Sequence, residues 1–526
     1  MFSKSSDQDH TLDRNPSDSK LMEMRESAQN GGGKDRIEAQ HQKGKYTARE
    51  RIDLLVDQGS FVEINNFITH QNPNVTKSSQ KPLGDGVVTG YGLINERKVY
   101  LYSQDFTVMG GSLGYAHAQK ICKVMDLAYS TGSPIIGLID SGGARIQEGI
   151  NALAGYGDIF HRNVKASGVI PQISVILGPC AGGAAYSPAL TDFIIMGGQK
   201  AYLFVTGPSV VEAATSQKVS FDDLGGAKMH SSKSGIAALA SNSEEEALDY
   251  VRKLLSYIPS NNMDSPPINT DFRISDDISS LDLIIPEEET EPYDMKDVIS
   301  HIVDKDSFFE IFPSWAQNMV IGFAHLQQQS VGIIANQPKV LGGAIDYDAS
   351  DKASRFIRFC NAFNIPIISF VDVPGFMPGL KQEAAGIIRH GAKLIYAYSE
   401  ATVPKLTVIT RKAYGGAYIV MSSKHLGADL IFAWNSSQIA VMGAKGACKI
   451  IYRKELKESE DPKLLLEEFA KEYKEKYTNP YVAASYGHIN KIIFPHETRD
   501  ELIQALFYLM NKREEIPKRK NGVFPV

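Results

Sequence analysis

Short apolar runs alternate with longer amphipathic stretches along most of this chain. The runs 135–139 and 173–177 have the length and composition of strands that are buried on both faces. Helical spacing of apolar residues follows each group of such runs, and it begins at a capping-box pattern, at Ser243 in one case and at Thr498 in the other. This alternation predicts an α/β architecture in which helices cover buried strands.

The same pattern occurs twice. The segment 132–145 matches the segment 364–376, which aligns Asp140 with Asp372 at a separation of 232 residues. The segment 182–184 matches 415–417 at a separation of 233 residues. Because the separation drifts so slowly along the chain, we interpret the sequence as a tandem duplication. Each repeat spans about 230–250 residues, a suitable size for a single α/β domain.

The composition of the remaining segments predicts the domain limits. Residues 1–35 are polar and are expected to form a disordered tail. The first domain is predicted at 36–262 and the second at 294–526. Between them, residues 263–293 are rich in Asn, Ser, Asp, Pro and Glu, which indicates a linker laid along the surface.

Charge and cysteine content narrow the class of protein. The net charge of −6 argues against a nucleic-acid partner. The four cysteines form no C-x-x-C pair and are expected to be buried, reduced thiols without a metal. No run of about 18 apolar residues predicts a membrane span, and the acidic N-terminal segment is atypical of targeting peptides. We therefore expect a cytoplasmic protein that does not insert into a membrane.

The duplicated glycines follow predicted strands, where a sharp turn and close approach to a ligand are needed. Two such turns side by side can direct two backbone N–H groups at one oxygen atom, forming an oxyanion hole. Tight packing alone would explain any single glycine pair. Two kinds of pair, each after a strand and each duplicated, favour the oxyanion-hole interpretation.

Several common catalytic signatures are absent from the sequence. It contains no G-x-S-x-G elbow, no H-E-x-x-H motif and no G-x-x-x-x-G-K-[ST] phosphate loop. The chain alone is therefore expected to lack ATP-dependent carboxylase activity. With no evident general base, proton transfer is expected to come from a substrate or cofactor.

At the duplicated glycine motifs and in the stretches around them, the chain resembles a known family. This family comprises the carboxyltransferase β subunits of propionyl-CoA carboxylase and its relatives, which include the α subunit of methylmalonyl-CoA decarboxylase. The resemblance runs from about residue 36 to the C-terminus. The stretches that carry it are 44–51, 104–112, 140–148, 178–184, 372–376, 387–393 and 411–418.

The resemblance implies two crotonase-like domains, a hexamer, and active sites between the first domain of one subunit and the second domain of another. It also implies carboxyl transfer between carboxybiotin, on a separate carrier of a biotin carboxylase partner, and the α-carbon of a short-chain acyl-CoA. The biotin nitrogen would then accept the α-proton. By the family pattern, the thioester oxyanion would face Gly143, Ala144, Gly182 and Gly183, and the biotin oxyanion would face Gly375, Phe376, Gly416 and Ala417.

The family also places acyl-CoA near the basic segment that contains Lys43, Lys45, Arg49 and Arg51, although a solvated helix face would explain the same charges. Many relatives carry Asp where this chain has Ile419, a position of the acyl pocket, which leaves the acyl preference open. Many also carry an aromatic residue and a glycine where this chain has Ala384 and Ala385, which leaves details of the biotin side open.

Three alternatives remain beside the carboxylase subunit. A sodium-pumping methylmalonyl-CoA decarboxylase would use the same chemistry in the opposite direction. A non-catalytic acyl-CoA-binding scaffold is disfavoured by the intact glycine pairs in both repeats. A stand-alone crotonase hydratase or isomerase needs only one such domain and usually a glutamate base, so the duplication disfavours it.

Overall fold

The computed structural model describes residues 16–70, 81–270, 273, 280–286, 288 and 290–526. These residues form two eight-stranded sheets, each covered by helices. Strands of the first sheet are β1 Val62–Ile64, β2 Val87–Ile94, β3 Arg97–Gln104, β4 Ile135–Ser141, β5 Gln172–Ala181, β6 Phe193–Gly197, β7 Tyr202–Phe204 and β8 Leu239–Ser241. Strands of the second are β9 Phe309–Ile311, β10 Met319–Leu326, β11 Gln329–Asn336, β12 Ile367–Val373, β13 Lys405–Tyr414, β14 Leu430–Trp434, β15 Gln438–Ala440 and β16 Lys491–Ile493.

Helices of the first half are α1 Pro16–Gln29, α2 Lys34–His41, α3 Ala48–Leu55, α4 Tyr115–Thr131, α5 Ile150–Ala166, α6 Gly183–Ala189, α7 Pro208–Thr215, α8 Phe221–Gly225, α9 Ala227–Ser232 and α10 Glu244–Leu255. The remaining helices are α11 Leu281–Ile284, α12 Met295–Ile302, α13 Tyr347–Ala362, α14 Leu380–Ala384, α15 Ile387–Glu400, α16 Gly415–Val420, α17 Ala444–Ile451, α18 Arg453–Glu458, α19 Pro462–Tyr473, α20 Pro480–Ser485 and α21 Thr498–Leu509.

The two sheets share one topology. In the first, the order is β1-β2-β3-β4-β5-β6-β8, with β7 added beside β5; in the second, it is β9-β10-β11-β12-β13-β14-β16, with β15 beside β13. The first two pairings in each sheet are antiparallel and the others are parallel. Every residue of β4 and of β12 is buried, as expected for strands covered on both faces. The predicted α/β fold and its duplication are confirmed.

The duplication extends to a pair of buried lysines. Lys120 on α4 and Lys352 on α13 occupy equivalent positions and are almost fully buried. The Lys120 amine donates to the carbonyls of Gly84 and Val87 just before and at the start of β2, and Lys352 donates to those of Phe312 and Trp315 before β10. In both repeats the lysine therefore ties a helix to the loop that precedes an antiparallel strand.

The two halves pack through a common hydrophobic core. Phe193 from the first sheet contacts Phe359 of α13, with ring centroids 4.7 Å apart, and lies 6.1 Å from the ring of Phe323. Buried residues of both repeats belong to this one cluster. Apolar packing therefore helps to fix the relative orientation of the two domains.

Three expectations from the sequence need correction. Residues 16–29 form helix α1 rather than a disordered tail, and the N–H of Gly32 donates to the Thr107 hydroxyl at 3.0 Å; residues 1–15 lie outside the described part of the chain. The helix was missed because only Ala28 is buried, so α1 shows no apolar stripe. In the predicted linker, α11 is ordered and its Leu281 is completely buried.

The third correction concerns the helix start at Thr498. Ser243 does cap α10, because its hydroxyl accepts from the Glu246 N–H at 3.1 Å. Thr498 instead lies inside the first turn of α21, and its hydroxyl accepts from the Trp434 indole N–H at 2.9 Å. A tertiary contact therefore takes the place of the predicted cap.

Among the described residues, no helix combines the length and the apolar character needed to cross a lipid bilayer. All four cysteines are buried and free, as predicted.

Candidate active site

The turn after β4 is held by a short bridge to the loop after β3. The Leu113 N–H donates to the Gly143 carbonyl at 2.9 Å, and the Arg145 N–H donates to the Leu113 carbonyl at 2.9 Å. Ala144 lies between these two hydrogen bonds, so its own N–H points away from Leu113, toward the end of β5. Gly143 has a φ of 98°, a conformation that favours glycine.

The turn after β5 supplies a second donor. Gly182 has a φ of 63°, and its N–H donates to the carbonyl of Phe204 at 3.2 Å. Gly183 begins α6, so its N–H has no acceptor within the helix. A Cβ atom at Gly143 would lie 2.9 Å from the Ala181 carbonyl oxygen, which shows how closely the two turns approach.

Four residues were predicted to face the thioester. Of these, Gly143 and Gly182 shape the turns, whereas Ala144 and Gly183 can provide N–H donors. The N–H of Gly143 donates to the Ser141 hydroxyl at 3.2 Å, and that of Gly182 is also engaged. Ala144 and Gly183 remain as the pair that can bind an oxyanion between neighbouring strand ends.

The second repeat reproduces this geometry. The Ile345 N–H donates to the Gly375 carbonyl at 3.1 Å and the Met377 N–H to the Ile345 carbonyl at 2.8 Å, so Phe376 takes the place of Ala144. Gly416 and the buried Ala417 lie in the first turn of α16, where N–H groups have no intrahelical acceptor.

The counterpart of Gly182 is Gly415, which the sequence-based assignment of site residues omitted. Its φ is 59°, and a Cβ atom there would lie 3.1 Å from the Val441 carbonyl oxygen. The alignment of 182–184 with 415–417 already pairs Gly415 with Gly182 and Gly416 with Gly183. The backbone conformation adds that Gly415 makes the turn.

Sequence reasoning also assigned no role to the buried carboxylates before the turns. Asp140 accepts from the Lys45 amine at 2.5 Å and pairs with the Arg51 guanidinium at 3.0 Å. Asp372 pairs with Arg411 at 2.9 Å. Strand pairing is interrupted at both aspartates, between residues 139 and 141 and between 371 and 373. Such irregularities redirect side chains, and their signal in the sequence was the alignment of the two aspartates.

The predicted basic cluster separates into different environments. Arg51 is completely buried, and its guanidinium also bonds Glu244 at 2.7 Å. Arg49 pairs with Glu63 at 2.8 Å. Burial lowers the pKa of the Lys45 amine, which the Asp140 carboxylate partly opposes. Lys43 alone of the four is exposed.

Lys43 lies on the wall of a cavity of about 550 Å³ beside the first sheet. The other lining residues are His41, Gly44, Lys45, Tyr46, Leu177, Gly197, Gly198, Gln199, Lys200, Asn242, Ser243, Glu244 and Glu245. Ile419 lies elsewhere: it is half-buried on α16, three residues after Gly416. The structure therefore places two predicted acyl-CoA residues, Lys43 and Lys45, beside a cavity and a third, Ile419, beside the second pair of turns.

Residues 39–524 match the model of the carboxyl transferase domain family. The chain belongs to this family. This carboxyl transferase is 54% identical over 510 residues to the carboxyltransferase subunit of propionyl-CoA carboxylase from Haloferax mediterranei, covering 96% of this chain and 98% of the relative. It is 54% identical over 497 residues to the methylmalonyl-CoA decarboxylase subunit alpha of Veillonella parvula, covering 94% and 96% of the two chains.

Among solved structures, this carboxyl transferase is similar to transcarboxylase 12S, which was described as a hexamer with methylmalonyl-CoA and methylmalonic acid bound. The TM-score is 0.93 at 46% sequence identity, with 98% of this chain and 100% of that chain covered. The family resemblance inferred from the motifs is thus confirmed.

Proposed function

We propose that this carboxyl transferase moves a carboxyl group between carboxybiotin and the α-carbon of a short-chain acyl-CoA, through two backbone oxyanion holes. The observation that carries the proposal is the duplicated pair of strand-end turns. Ala144 and Gly183 would stabilise the enolate oxygen of the thioester. Phe376 and Gly416, with Ala417 in the same helical turn, would stabilise the ureido oxygen of biotin.

The second pair of turns has room for a ligand of this kind. A Cβ atom at Gly416 would meet no heavy atom of the described chain within 4 Å, and the same is true of Gly375. Biotin, when bound, would supply the carboxyl group and the nitrogen that accepts the α-proton. The chain would contribute orientation and backbone donors, since loss of one donor from an oxyanion hole costs about 2.7–4 kcal/mol.

Propionyl-CoA and acetyl-CoA are the proposed acyl substrates, and Lys43 is the residue we assign to the phosphates of CoA. The relatives named for propionyl-CoA and the 12S structure with methylmalonyl-CoA support this substrate class. We further propose a hexamer that works in the cytoplasm with a separate biotin carboxylase and carrier subunit, as the free thiols and the 12S hexamer suggest.

The decisive experiment mixes the purified chain with carboxybiotinylated carrier and measures carboxyl transfer to acetyl-, propionyl- and butyryl-CoA. Transfer to at least one of these, without ATP, is expected. Decarboxylation of the carrier with no carboxylated acyl-CoA product would contradict the assignment of the thioester site.

Sequence identity does not distinguish a carboxylase subunit from a decarboxylase subunit, because the Haloferax carboxylase subunit and the Veillonella decarboxylase subunit are both 54% identical to this chain. A decarboxylase α subunit is therefore the second candidate. Methylmalonyl-CoA and free biotin provide its test, since release of propionyl-CoA would show that this chain also catalyses the reverse transfer. The partner subunit would then decide the physiological direction.

A further inference from the structure

One aromatic side chain of the first repeat lies against the turn after β5 and approaches the end of β4. Tyr156 projects from α5, is 4% exposed, and lies against Gly183. A Cβ atom at Gly183 would be 2.8 Å from Cδ2 of the Tyr156 ring and 3.0 Å from its Cγ. The ring therefore occupies the space in which Gly183 would carry a side chain, and it limits movement of this turn toward α5.

The other end of Tyr156 approaches the turn after β4. Its hydroxyl is buried and lies near the hydroxyl of Ser141, although the two do not form a well-aligned hydrogen bond. Burial raises the pKa of the Tyr156 phenol, and the neighbouring Ser141 hydroxyl lowers it in part. Ser141 in turn accepts from the Gly143 N–H and donates to the Gly111 carbonyl at 2.7 Å.

The second repeat has a different arrangement. When the buried positions of α5 and α15 are matched, Ala152 with Ile387 and Ile159 with Leu394, Tyr156 aligns with Gly391. There the aromatic ring comes from the turn itself, because a Cβ atom at Gly391 would lie 3.1 Å from Cε1 of Phe376.

The two repeats thus exchange a small and a large residue. Ala144 in the turn and Tyr156 on the helix correspond to Phe376 in the turn and Gly391 on the helix. As a consequence, the Tyr156 ring fills the space beside Gly183, whereas no heavy atom of the described residues lies within 4 Å of a Cβ atom built at the equivalent Gly416. A side chain of the same domain therefore supports Gly183, and among the described residues Gly416 has no such support.

We infer that Tyr156 is a positioning residue for the thioester side of the reaction, holding the N–H groups of Ala144 and Gly183 at a fixed separation. This inference rests on the proposed function of those donors. An oxyanion hole is effective because its donors are preorganised before charge develops. A rigid ring packed between the two turns provides that preorganisation without touching substrate.

Substitution of Tyr156 by Leu tests the inference. We expect the kcat for transfer to propionyl-CoA to fall roughly 10- to 100-fold, less than the ~10²–10³-fold loss of a whole donor. The KM for propionyl-CoA and the calorimetric Kd of CoA should stay within about twofold, because an interaction that matters only in the transition state changes kcat. Tyr156→Phe keeps the ring and should retain most of the rate, losing about two- to tenfold at most.

The matched control is Tyr257→Leu. Tyr257 is a buried tyrosine of the first domain, but its ring stacks on Phe309 and His325 and its hydroxyl donates to the Ser307 carbonyl, none of which belongs to the two turns. Both Leu variants should show a similar fall in thermal midpoint, whereas only Tyr156→Leu should lose kcat. Equal kcat values for the two variants would overturn the inference.

A second readout separates positioning from general damage. Decarboxylation of carboxybiotin without acyl-CoA uses only the second pair of turns, so it should be unchanged in Tyr156→Leu; an equal loss of both activities would overturn the inference. Gly183→Ala should lose activity through contact with the ring, and Tyr156→Leu should partly restore it in the double variant. Strict additivity of the two substitutions would also count against the inference. If the wild-type chain transferred no carboxyl group at all, the proposed function would fail instead.

Discussion

The Nη1 atom of Arg51 lies 3.0 Å from Oδ2 of Asp140, and both side chains are completely buried. The same Asp140 oxygen accepts from Lys45 at 2.5 Å and from the Gln40 amide at 3.2 Å. Residues 40–51 are thereby fastened beneath the turn that carries Ala144. Lys45 and Arg51 thus support the strand end before this turn, whereas Arg49 pairs with Glu63 and Lys43 is exposed beside the cavity.

Replacing Arg51 by Met should therefore affect stability. The substitution removes both hydrogen bonds from Arg51 to the buried Glu244 and, among the described residues, leaves Asp140 with only Lys45 and Gln40. Breaking a buried ion pair typically costs about 3–5 kcal/mol. Urea denaturation should reveal the loss. Arg49→Met is the control, because Arg49 and Glu63 are both partly exposed and pairs near the surface contribute about 1 kcal/mol or less. Similar losses for the two variants would contradict this view of the cluster.

Lys43 should instead affect substrate binding. We expect Lys43→Glu to raise the KM for acyl-CoA several-fold at low salt with little change in kcat, because it reverses a charge beside the proposed phosphate site. The effect should shrink as salt rises, since the screening length falls from about 10 Å at 0.1 M to 3 Å at 1 M. Lys123→Glu, on the exposed face of α4, is the control. An unchanged KM at low salt would argue against a phosphate contact.

Gly416 offers a clean test of the biotin-side donors. A Cβ atom there meets no described heavy atom within 4 Å, so Gly416→Val should leave the fold intact while displacing the ligand oxygen. Carboxybiotin decarboxylation and acyl transfer should both fall by ~10²–10³-fold. Gly157→Val is the control, because Gly157 on α5 is exposed and a Cβ atom there also meets no described heavy atom within 4 Å.

Gly183 tests the thioester-side donors in the same way. Gly183→Val should abolish transfer and spare carboxybiotin decarboxylation, although the new side chain would also contact the Tyr156 ring. Wild-type transfer rates in both the Gly416 and Gly183 variants would rule out the two-hole model.

The turns could be predicted from the sequence because glycine at a strand end is a local signal, repeated here in both halves. Which N–H groups remain free could not be predicted, since that depends on bonds such as those from Gly143 to Ser141 and from Gly182 to Phe204. The burial of Arg51 and its ion pairs could not be predicted either, because its partners Asp140 and Glu244 are distant in sequence. Tyr156 carried no signal in its own segment; its importance comes from contact with Gly183.

The buried Lys120 should make stability depend on pH. Burial lowers its pKa to about 8, whereas a lysine in the unfolded chain titrates near 10.4. Between these values the unfolded chain binds more protons than the folded chain, so stability should rise with pH in this window. Lys120→Met should flatten the rise in thermal midpoint between pH 8 and 10 relative to wild type. An identical slope in the two proteins would show that folding does not lower the pKa of Lys120.

Ile419 provides the test of acyl selectivity. It is half-buried on α16, three residues after Gly416, so it lies close to the proposed biotin-side donors. An apolar branched side chain offers no hydrogen bond and fills space, and one methylene in such a pocket is worth only about 1–3 kcal/mol. We therefore expect an acyl group of two to four carbons, with modest discrimination between acetyl- and propionyl-CoA. Ile419→Asp should change the ratio of kcat/KM for these two substrates several-fold, and Ile419→Val should change it less because it keeps the apolar surface. Thermal midpoints near that of wild type are needed for this comparison. A constant ratio, or aggregation of the Asp variant, would mean that Ile419 packs beneath the turn and does not face the acyl group.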